Sequence, residues 1–268
     1  MGEKTAEVLV EIDGQVAEVQ LNRPGKLNAL SAAMFDELAR IGNELAGNRD
    51  VRIVILSGVG GNFSSGLDTA LIAAMAGQID RLRADLAAPV NDSGANRFQE
   101  PCMVWRRMAK PVIAAIEGVA FGGGLQLALG ADFRFATPDA RLSVMEARWG
   151  IVPDMGITQL LAGLVRPDIA KELMMTARVI PGEEAARLGL VTRLADDPRA
   201  AARAFAEELA LRSPEVLGAV KRLVDEGFRL PGAEGLRLEA VLQARLVGSP
   251  NQVEAVTARM ERRRPQYG

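Results

Sequence analysis

The sequence predicts an α/β fold built on a largely parallel sheet and closed by a helical C-terminal part. Three observations carry that expectation. The apolar runs Val51–Leu56 and Pro111–Ile116 have the length and composition of strands buried on both faces. Segments with helical spacing of apolar residues alternate with the strands, as in βαβ units. After Asp154 strand signals nearly cease, and helix follows helix.

Taken in order, Val8–Ile12 and Val16–Leu21, joined across Asp13-Gly14, predict a β-hairpin. Ser31 is placed to cap a helix carrying Met34, Leu38, Ile41 and Leu45 on one face. Val51–Leu56 leads into the glycine-rich loop Ser57–Asp68. Between Asp68 and Lys110 the pattern is irregular, with a loop at Ala87–Ala95, a helix expected on either side, and a cover for a pocket expected over Met75–Pro101. Pro111–Ile116 then feeds a turn with Gly122, Gly123 and Gly124, a short helix from about Leu125, and a strand at Phe133–Ala136. Helices are expected over Ile157–Leu164, Ala170–Thr176, Gly182–Leu188, Arg199–Leu211, Pro214–Gly227, Glu234–Val247 and Val253–Arg263, with one extended piece near Val191–Arg193.

Composition narrows the chemistry. The net charge of −2 gives no broad basic field for nucleic acid or a membrane surface. Histidine is absent, which removes Ser-His-Asp and Cys-His systems, HExxH zinc sites and histidine bases together. No metal site is expected. The lone Cys102 has no partner for an internal disulfide and reads as a small buried residue in a reducing compartment. The start, MGEKTAEVLV, lacks a signal-peptide core, and Ala6 breaks the myristoylation pattern. No segment has transmembrane length. Together these point to a cytoplasmic protein.

The chemistry concentrates at Gly122–Gly124 and Glu146. A glycine turn opening a helix presents backbone N–H groups where unpaired donors and partial positive charge collect, a corner able to hold a developing anion. A carboxylate twenty residues past Gln126 can supply proton transfer. This is the outline of an enzyme that makes enolates. Close packing of helix on strand is the other reading of the glycines. No GxxxxGK[ST] occurs, and Phe63 stands where a dinucleotide fingerprint after Gly58-Val-Gly60 needs its third glycine.

The series Leu21-Asn-Arg-Pro-Gly-Lys-Leu-Asn-Ala-Leu30, Phe63-Ser-Ser-Gly-Leu-Asp68, Lys110–Gly118 with Phe121-Gly-Gly-Gly124, and Gly150–Gly156 resembles the crotonase superfamily, the enoyl-CoA hydratase/isomerase family. Ala185–Val191, Ser213-Pro-Glu215 and Arg262–Pro265 extend the resemblance along almost the whole chain. It implies a ClpP/crotonase-like spiral of ββα repeats with the acyl-CoA site in residues 1–198, and a helical trimerisation region in 199–268. It also implies a homotrimer or dimer of trimers, an acyl-CoA thioester substrate, and no cofactor beyond the coenzyme A that the substrate carries. The implied oxyanion donors are the N–H groups of Leu67 and Gly123, each worth about 3 kcal/mol of transition-state stabilisation. Coenzyme A is implied to lie along Lys26, Leu27, Asn28, Ala29 and the Ser65 backbone, with Asp68 and Gly122 beside it. Arg23 and Lys26 are either phosphate contacts or solvated surface charges, and Lys221 is a further candidate for the phosphate of a neighbouring subunit's ligand.

Hydratases of the family hold a water between two glutamates; here the first position is Gln126 and the second Glu146. An amide orients water but cannot take its proton at neutral pH. A 1,3-proton shift needs only one carboxylate, and Δ3-Δ2 isomerases resemble that arrangement. Asp154, eight residues past Glu146, matches the carboxylate pair of dienoyl-CoA isomerases, although those carry Asp where this chain has Gln126. Two readings of Asp154 are open: a second proton-transfer group, or a turn and helix-cap residue. Gln126 likewise has a structural reading. Met145 and Trp149 are expected as pocket wall or core, and Met103, Trp105 and Met108 as an acyl lining. The expectation is therefore an enoyl- or dienoyl-CoA isomerase with Glu146 as proton shuttle. The alternatives are an enoyl-CoA hydratase with a Gln126-positioned water and a non-catalytic acyl-CoA-binding protein.

Overall fold

A computed structural model describes residues 6–268. The hairpin forms as expected: β1 (Val8–Asp13) pairs antiparallel with β2 (Val16–Leu21) across a turn in which Gly14 takes φ 58°. From β2 onward the larger sheet is parallel, with β3 (Ile53–Gly58), β4 (Val112–Ile116), β6 (Phe133–Ala136) and β9 (Arg193–Leu194) following in space. β3 starts two residues later than the apolar run, because Val51 is buried before the ladder begins.

A second sheet of three short strands escapes the sequence pattern: β5 (Val119–Phe121), β7 (Arg141–Ser143) and β8 (Ile180–Pro181), in the order β5-β7-β8. Each is two or three residues long, too short for alternation to register. β4, β5 and helix α5 (Gly123–Leu129) form one strand–strand–helix turn, and β6 and β7 open the next. α5 begins at Gly123, two residues before the expected start.

The sheet faces explain the continuous apolar runs. Val54 and Leu56 of β3, with Val112, Ala114 and Ile116 of β4, enter the main core beneath α1 (Ala32–Gly47) and α4 (Glu100–Arg107). The alternate residues Ile53, Ile55, Ile113 and Ala115 meet Ala202 and Ala206 of α9 (Pro198–Ala210) on the opposite face. Residues 198 and 199, where the two parts were divided, are therefore the first two of a helix packed on the sheet. α1 is capped as expected: Ser31 Oγ accepts the Met34 N–H at 3.2 Å.

The remaining helices are α2 (Thr69–Ala76), α3 (Ile79–Ala87), α6 (Ile157–Leu160), α7 (Pro167–Thr176), α8 (Gly182–Leu188), α10 (Pro214–Arg222), α11 (Gly232–Leu246) and α12 (Pro250–Met260). α6 is half the expected length, and the run past α10 continues as a π-helical turn over Leu223–Gly227. Among the described residues no helix is long and apolar enough to cross a membrane.

Four side chains lie elsewhere than expected. Trp105 and Met108 are buried in the main core rather than facing a cavity, and Trp149 is 59% exposed. Lys221 is buried, with Nζ donating to the carbonyls of Trp105 and Lys110 and to Asp132 Oδ2 at 2.9 Å. That ion pair fastens α10 to the core and leaves no cation there for a neighbour's phosphate.

Candidate active site

Two loops and one helix end build the site. Residues Arg23–Leu30 turn tightly, with Leu27 and Asn28 both at positive φ (48° and 53°). Asn28 is fully buried and acts as a hub: its Nδ2 donates to the carbonyls of Val59 and Asn62, and its Oδ1 accepts the Arg23 N–H. Asparagine tolerates the left-handed region, which suits it to this corner. Its carbonyl accepts Ser64 Oγ at 2.8 Å, and the same Oγ accepts the Gly66 N–H. The second loop is thus pinned against the first.

The Leu67 peptide is gripped on both sides. Leu30 donates its N–H to Gly66 O at 2.7 Å, and Asp68 donates its N–H to Leu30 O at 3.0 Å. The Leu67 N–H itself has no acceptor among the described residues, and neither does that of Gly123 at the start of α5. The two donors are close: a Cβ built on Gly123 lies 3.4 Å from Leu67 Cδ1, and one built on Gly66 lies 3.6 Å from Gly123 N. Gly66 has φ +90°, and that Cβ would also stand 2.7 Å from Phe121 O, so only glycine fits. Gly124 lies against Ser64, 2.6 Å from its carbonyl oxygen by the same measure. The glycine turn thus serves close packing as well as open donors.

Glu146 and Gln126 are both buried and touch. Gln126 Nε2 donates to Glu146 Oε1 at 2.6 Å, and Gln126 Oε1 accepts the Met155 N–H at 2.9 Å. Because a backbone N–H can only donate, the Met155 contact sets which end of the amide faces Glu146. Glu146 Oε1 is occupied; Oε2 is buried with no partner. An orphaned buried carboxylate oxygen is costly. Burial pushes the Glu146 pKa above the ordinary 4.5, against opposing hydrogen bonds from its own backbone N–H and Gln126, while the charge of Asp154 adds to the rise.

A cavity of about 390 Å³ is walled by Leu67, Leu82, Leu86, Phe98, Ile151 and Met155, with Glu146 and Asp154 both lining it. Asp154 does not cap a helix; α6 begins after Gly156. Burial raises its pKa as well. Met103 lies over Gly156 instead of lining this cavity, and Met145 is half-buried.

Of the residues expected along a coenzyme A, Lys26, Leu27, Ala29 and Ser65 are joined to one another by hydrogen bonds. Ser65 donates its N–H to Leu27 O and its Oγ to Lys26 O; Ala29 is buried and donates to Lys26 O. Gly122 lies beside Glu146, a Cβ there standing 3.3 Å from Oε1. Arg23 turns inward: its guanidinium donates to Ala29 O at 2.6 Å and to Asp68 Oδ2 at 2.7 Å, with Glu7 nearby. Asp68 is held below the usual carboxylate range, chiefly by the Ala70 N–H and then by Arg23. Lys26 is exposed and makes no ion pair among the described residues. The hub role of Asn28, Ser64 and the Met155 N–H were not singled out from the sequence. The consecutive turn residues before Asn28 were the one available signal for it.

A spiral of strand–strand–helix turns enclosing a glycine corner and a buried carboxylate defines a crotonase-fold protein. The enoyl-CoA hydratase/isomerase family model matches residues 11–268, and the chain belongs to that family. It is similar to the peroxisomal Δ(3,5)-Δ(2,4)-dienoyl-CoA isomerase of Arabidopsis thaliana, at 31% identity over 98% of this chain and 97% of that protein. It is similar to the short-chain-enoyl-CoA hydratase of Clostridium acetobutylicum, at 31% identity over 96% of this chain and 95% of that one. Among solved structures, an enoyl-CoA hydratase from Bacillus anthracis superposes with a TM-score of 0.89 at 30% identity, covering 98% of this chain and 99% of that one.

Proposed function

We propose that this chain is a CoA-dependent isomerase that moves a double bond within an enoyl- or dienoyl-CoA. The observation that carries the reading is the Gln126 clamp. Where a hydratase places a second glutamate, this chain has an amide held from one side by Met155 and bonded on the other to Glu146 Oε1. The other carboxylate oxygen, Glu146 Oε2, has no partner.

The thioester oxygen sits between the N–H groups of Leu67 and Gly123. Glu146 Oε2 removes the acidic α-proton; the electron pair of that C–H bond delocalises onto the thioester oxygen and, through the β,γ double bond, onto the γ-carbon. Oε1, already accepting from Gln126, leaves the proton on Oε2, which returns it to the γ-carbon. The double bond then stands in conjugation with the thioester, and no atom has been gained or lost. In a dienoyl substrate the negative charge extends further, and Asp154 on the same cavity wall is a second group able to deliver the proton. Lys26, Leu27, Ala29 and Ser65 support the coenzyme A, with Lys26 toward its phosphates. The same reading includes assembly as a homotrimer or dimer of trimers through the helices after α9, which expose Phe228 (82%), Leu236 (67%) and Met260 (80%).

The test is product analysis by NMR in deuterated water with 3-enoyl-, 3,5-dienoyl- and 2-enoyl-CoA. Double-bond migration without 3-hydroxyacyl-CoA is expected, falling about 10²–10⁴-fold in Glu146→Gln. Rapid 3-hydroxyacyl-CoA formation from the 2-enoyl substrate overturns the isomerase in favour of hydration; tight acyl-CoA binding without turnover favours a binding protein.

A further inference from the structure

The direction of the Leu67 N–H is set by the peptide it belongs to. In a trans peptide the N–H and C=O point opposite ways. Leu30 N–H holds Gly66 O at 2.7 Å and so turns the Leu67 N–H away from Leu30. Leu30 O takes the Asp68 N–H at 3.0 Å on the other side of Leu67. This pairing of Leu30 with Leu67 is an isolated bridge, outside both sheets. Two backbone hydrogen bonds with no ladder beyond them are a soft frame for a donor that must be aimed.

Arg23 closes that frame into a ring. Its Nη1 donates to Ala29 O at 2.6 Å, one residue before Leu30. Its Nη2 donates to Asp68 Oδ2 at 2.7 Å, one residue after Leu67. The rigid fork of a guanidinium lets one side chain grip both segments at once. The Arg23 backbone is itself anchored, its N–H donating to Asn28 Oδ1 and its carbonyl accepting the Asn28 N–H. Asp68 is anchored too: its second oxygen, Oδ1, accepts the Ala70 N–H at 2.9 Å in the first turn of α2. The two side chains are 18% and 11% exposed, so water does not weaken the pair as it does on an open surface. A role on a coenzyme A phosphate would require the guanidinium to leave these partners.

We propose that Arg23 is a positioning residue for the oxyanion corner: through Ala29 and Asp68 it fixes the Leu67 N–H that polarises the thioester carbonyl. The inference rests on the Leu67–Gly123 corner of the function proposed above, and not on which reaction follows enolate formation. Three readouts test it on the intact protein: the 13C shift of a bound acyl-CoA labelled at its thioester carbonyl, the Kd of free coenzyme A, and kcat on a 3-enoyl-CoA. The wild type is expected to move the carbonyl signal downfield. Arg23→Gln loses most of that shift and about 10–100-fold in kcat, while the Kd of coenzyme A stays unchanged. Arg23→Lys, which keeps the charge but not the fork, recovers part of both. Asp68→Asn, which keeps an acceptor for Ala70, reproduces the loss, and combining it with Arg23→Gln adds little, since both break one clamp.

Weaker binding of free coenzyme A with an unchanged carbonyl shift overturns the proposal and makes Arg23 a phosphate contact. A lower unfolding midpoint with shift and kcat intact overturns it in favour of a purely structural pair. An Arg23-dependent shift without double-bond migration upholds the clamp and removes the isomerase reading. Migration with a shift indifferent to Arg23 does the reverse. No shift in the wild type removes the corner, and the clamp with it.

Discussion

Helix α5 carries Gln126 against Glu146, helix α3 lines the cavity beside Glu146, and the two are built in opposite ways. All seven residues of α5, Gly123–Leu129, are buried, and its first turn lies against the Ser64 loop. α3, Ile79–Ala87, has no buried residue and offers the cavity only Leu82 and Leu86. The first holds Gln126 and the Gly123 donor where tenths of an ångström matter. The second closes a wall that different substrates can use differently. Groups that stabilise a transition state gain from rigidity, whereas a cover over a substrate's tail gains from loose packing and lies at the low-stability end of the molecule.

The largest expected effect breaks the rigid side. Gly66→Ala forces a Cβ toward the Phe121 carbonyl and displaces the strand of peptide that aims the Leu67 N–H. A fall in kcat of about 10²–10³-fold is expected, as for loss of an oxyanion donor, with a much smaller change in KM. Steady-state kinetics on a 3-enoyl-CoA checks it; an equal rise in KM at constant kcat would place the damage in ground-state binding instead.

Removing the hub is next. Asn28→Ala strips partners from the carbonyls of Val59 and Asn62 and from the Arg23 N–H. Each buried group left unpaired costs about 1–3 kcal/mol. Denaturant unfolding is expected to show a loss of several kcal/mol, the largest of any substitution in either loop.

A subtler comparison uses pH. The folded pKa of Glu146 lies above the ordinary 4.5, so between those values the native state binds more protons than the unfolded chain. Glu146 therefore opposes folding progressively as pH rises from about 4.5 through its raised pKa, and its contribution is constant above that. Glu146→Gln should flatten this part of the stability profile relative to wild type and be the more stable protein at neutral pH. Isomerase kcat/KM should rise with pH with a midpoint above 4.5, since the base must be ionised. A wild-type stability profile parallel to that of the variant would contradict the raised pKa.

The smallest effect belongs to the cover. Arg97→Ala breaks an ion pair whose partners are 37% and 58% exposed, worth about 0.2–1 kcal/mol. Thermal unfolding should barely move. A large drop would mean that the cover is as cooperative as the corner, and the contrast between the two helices would fail.

Much of the fold was legible because its strands are buried on both faces and therefore read as unbroken apolar runs. β4 and β6 match the sequence closely, and α1 shows both its cap and its apolar stripe. β5, β7 and β8 left no trace, since pairing between distant two- and three-residue strands has no local pattern. The same holds for side chains whose fate depends on partners far along the chain. Lys221 is expected to reach a neighbouring subunit's phosphate and is buried against Asp132; Trp149 reads as wall or core and lies in the open.

The site divides along the same line. The sequence by itself determined the glycine corner, the single carboxylate at Glu146 and the amide at Gln126, because residue type and spacing fix which donors and acids exist. Only the tertiary structure decided that Gln126 is clamped between Met155 and Glu146, that Oε2 is the free oxygen, and that Asp154 shares its cavity. Those facts depend on which groups meet across loops far apart in the chain, and a hydrogen bond's direction and a group's burial exist only once they have met.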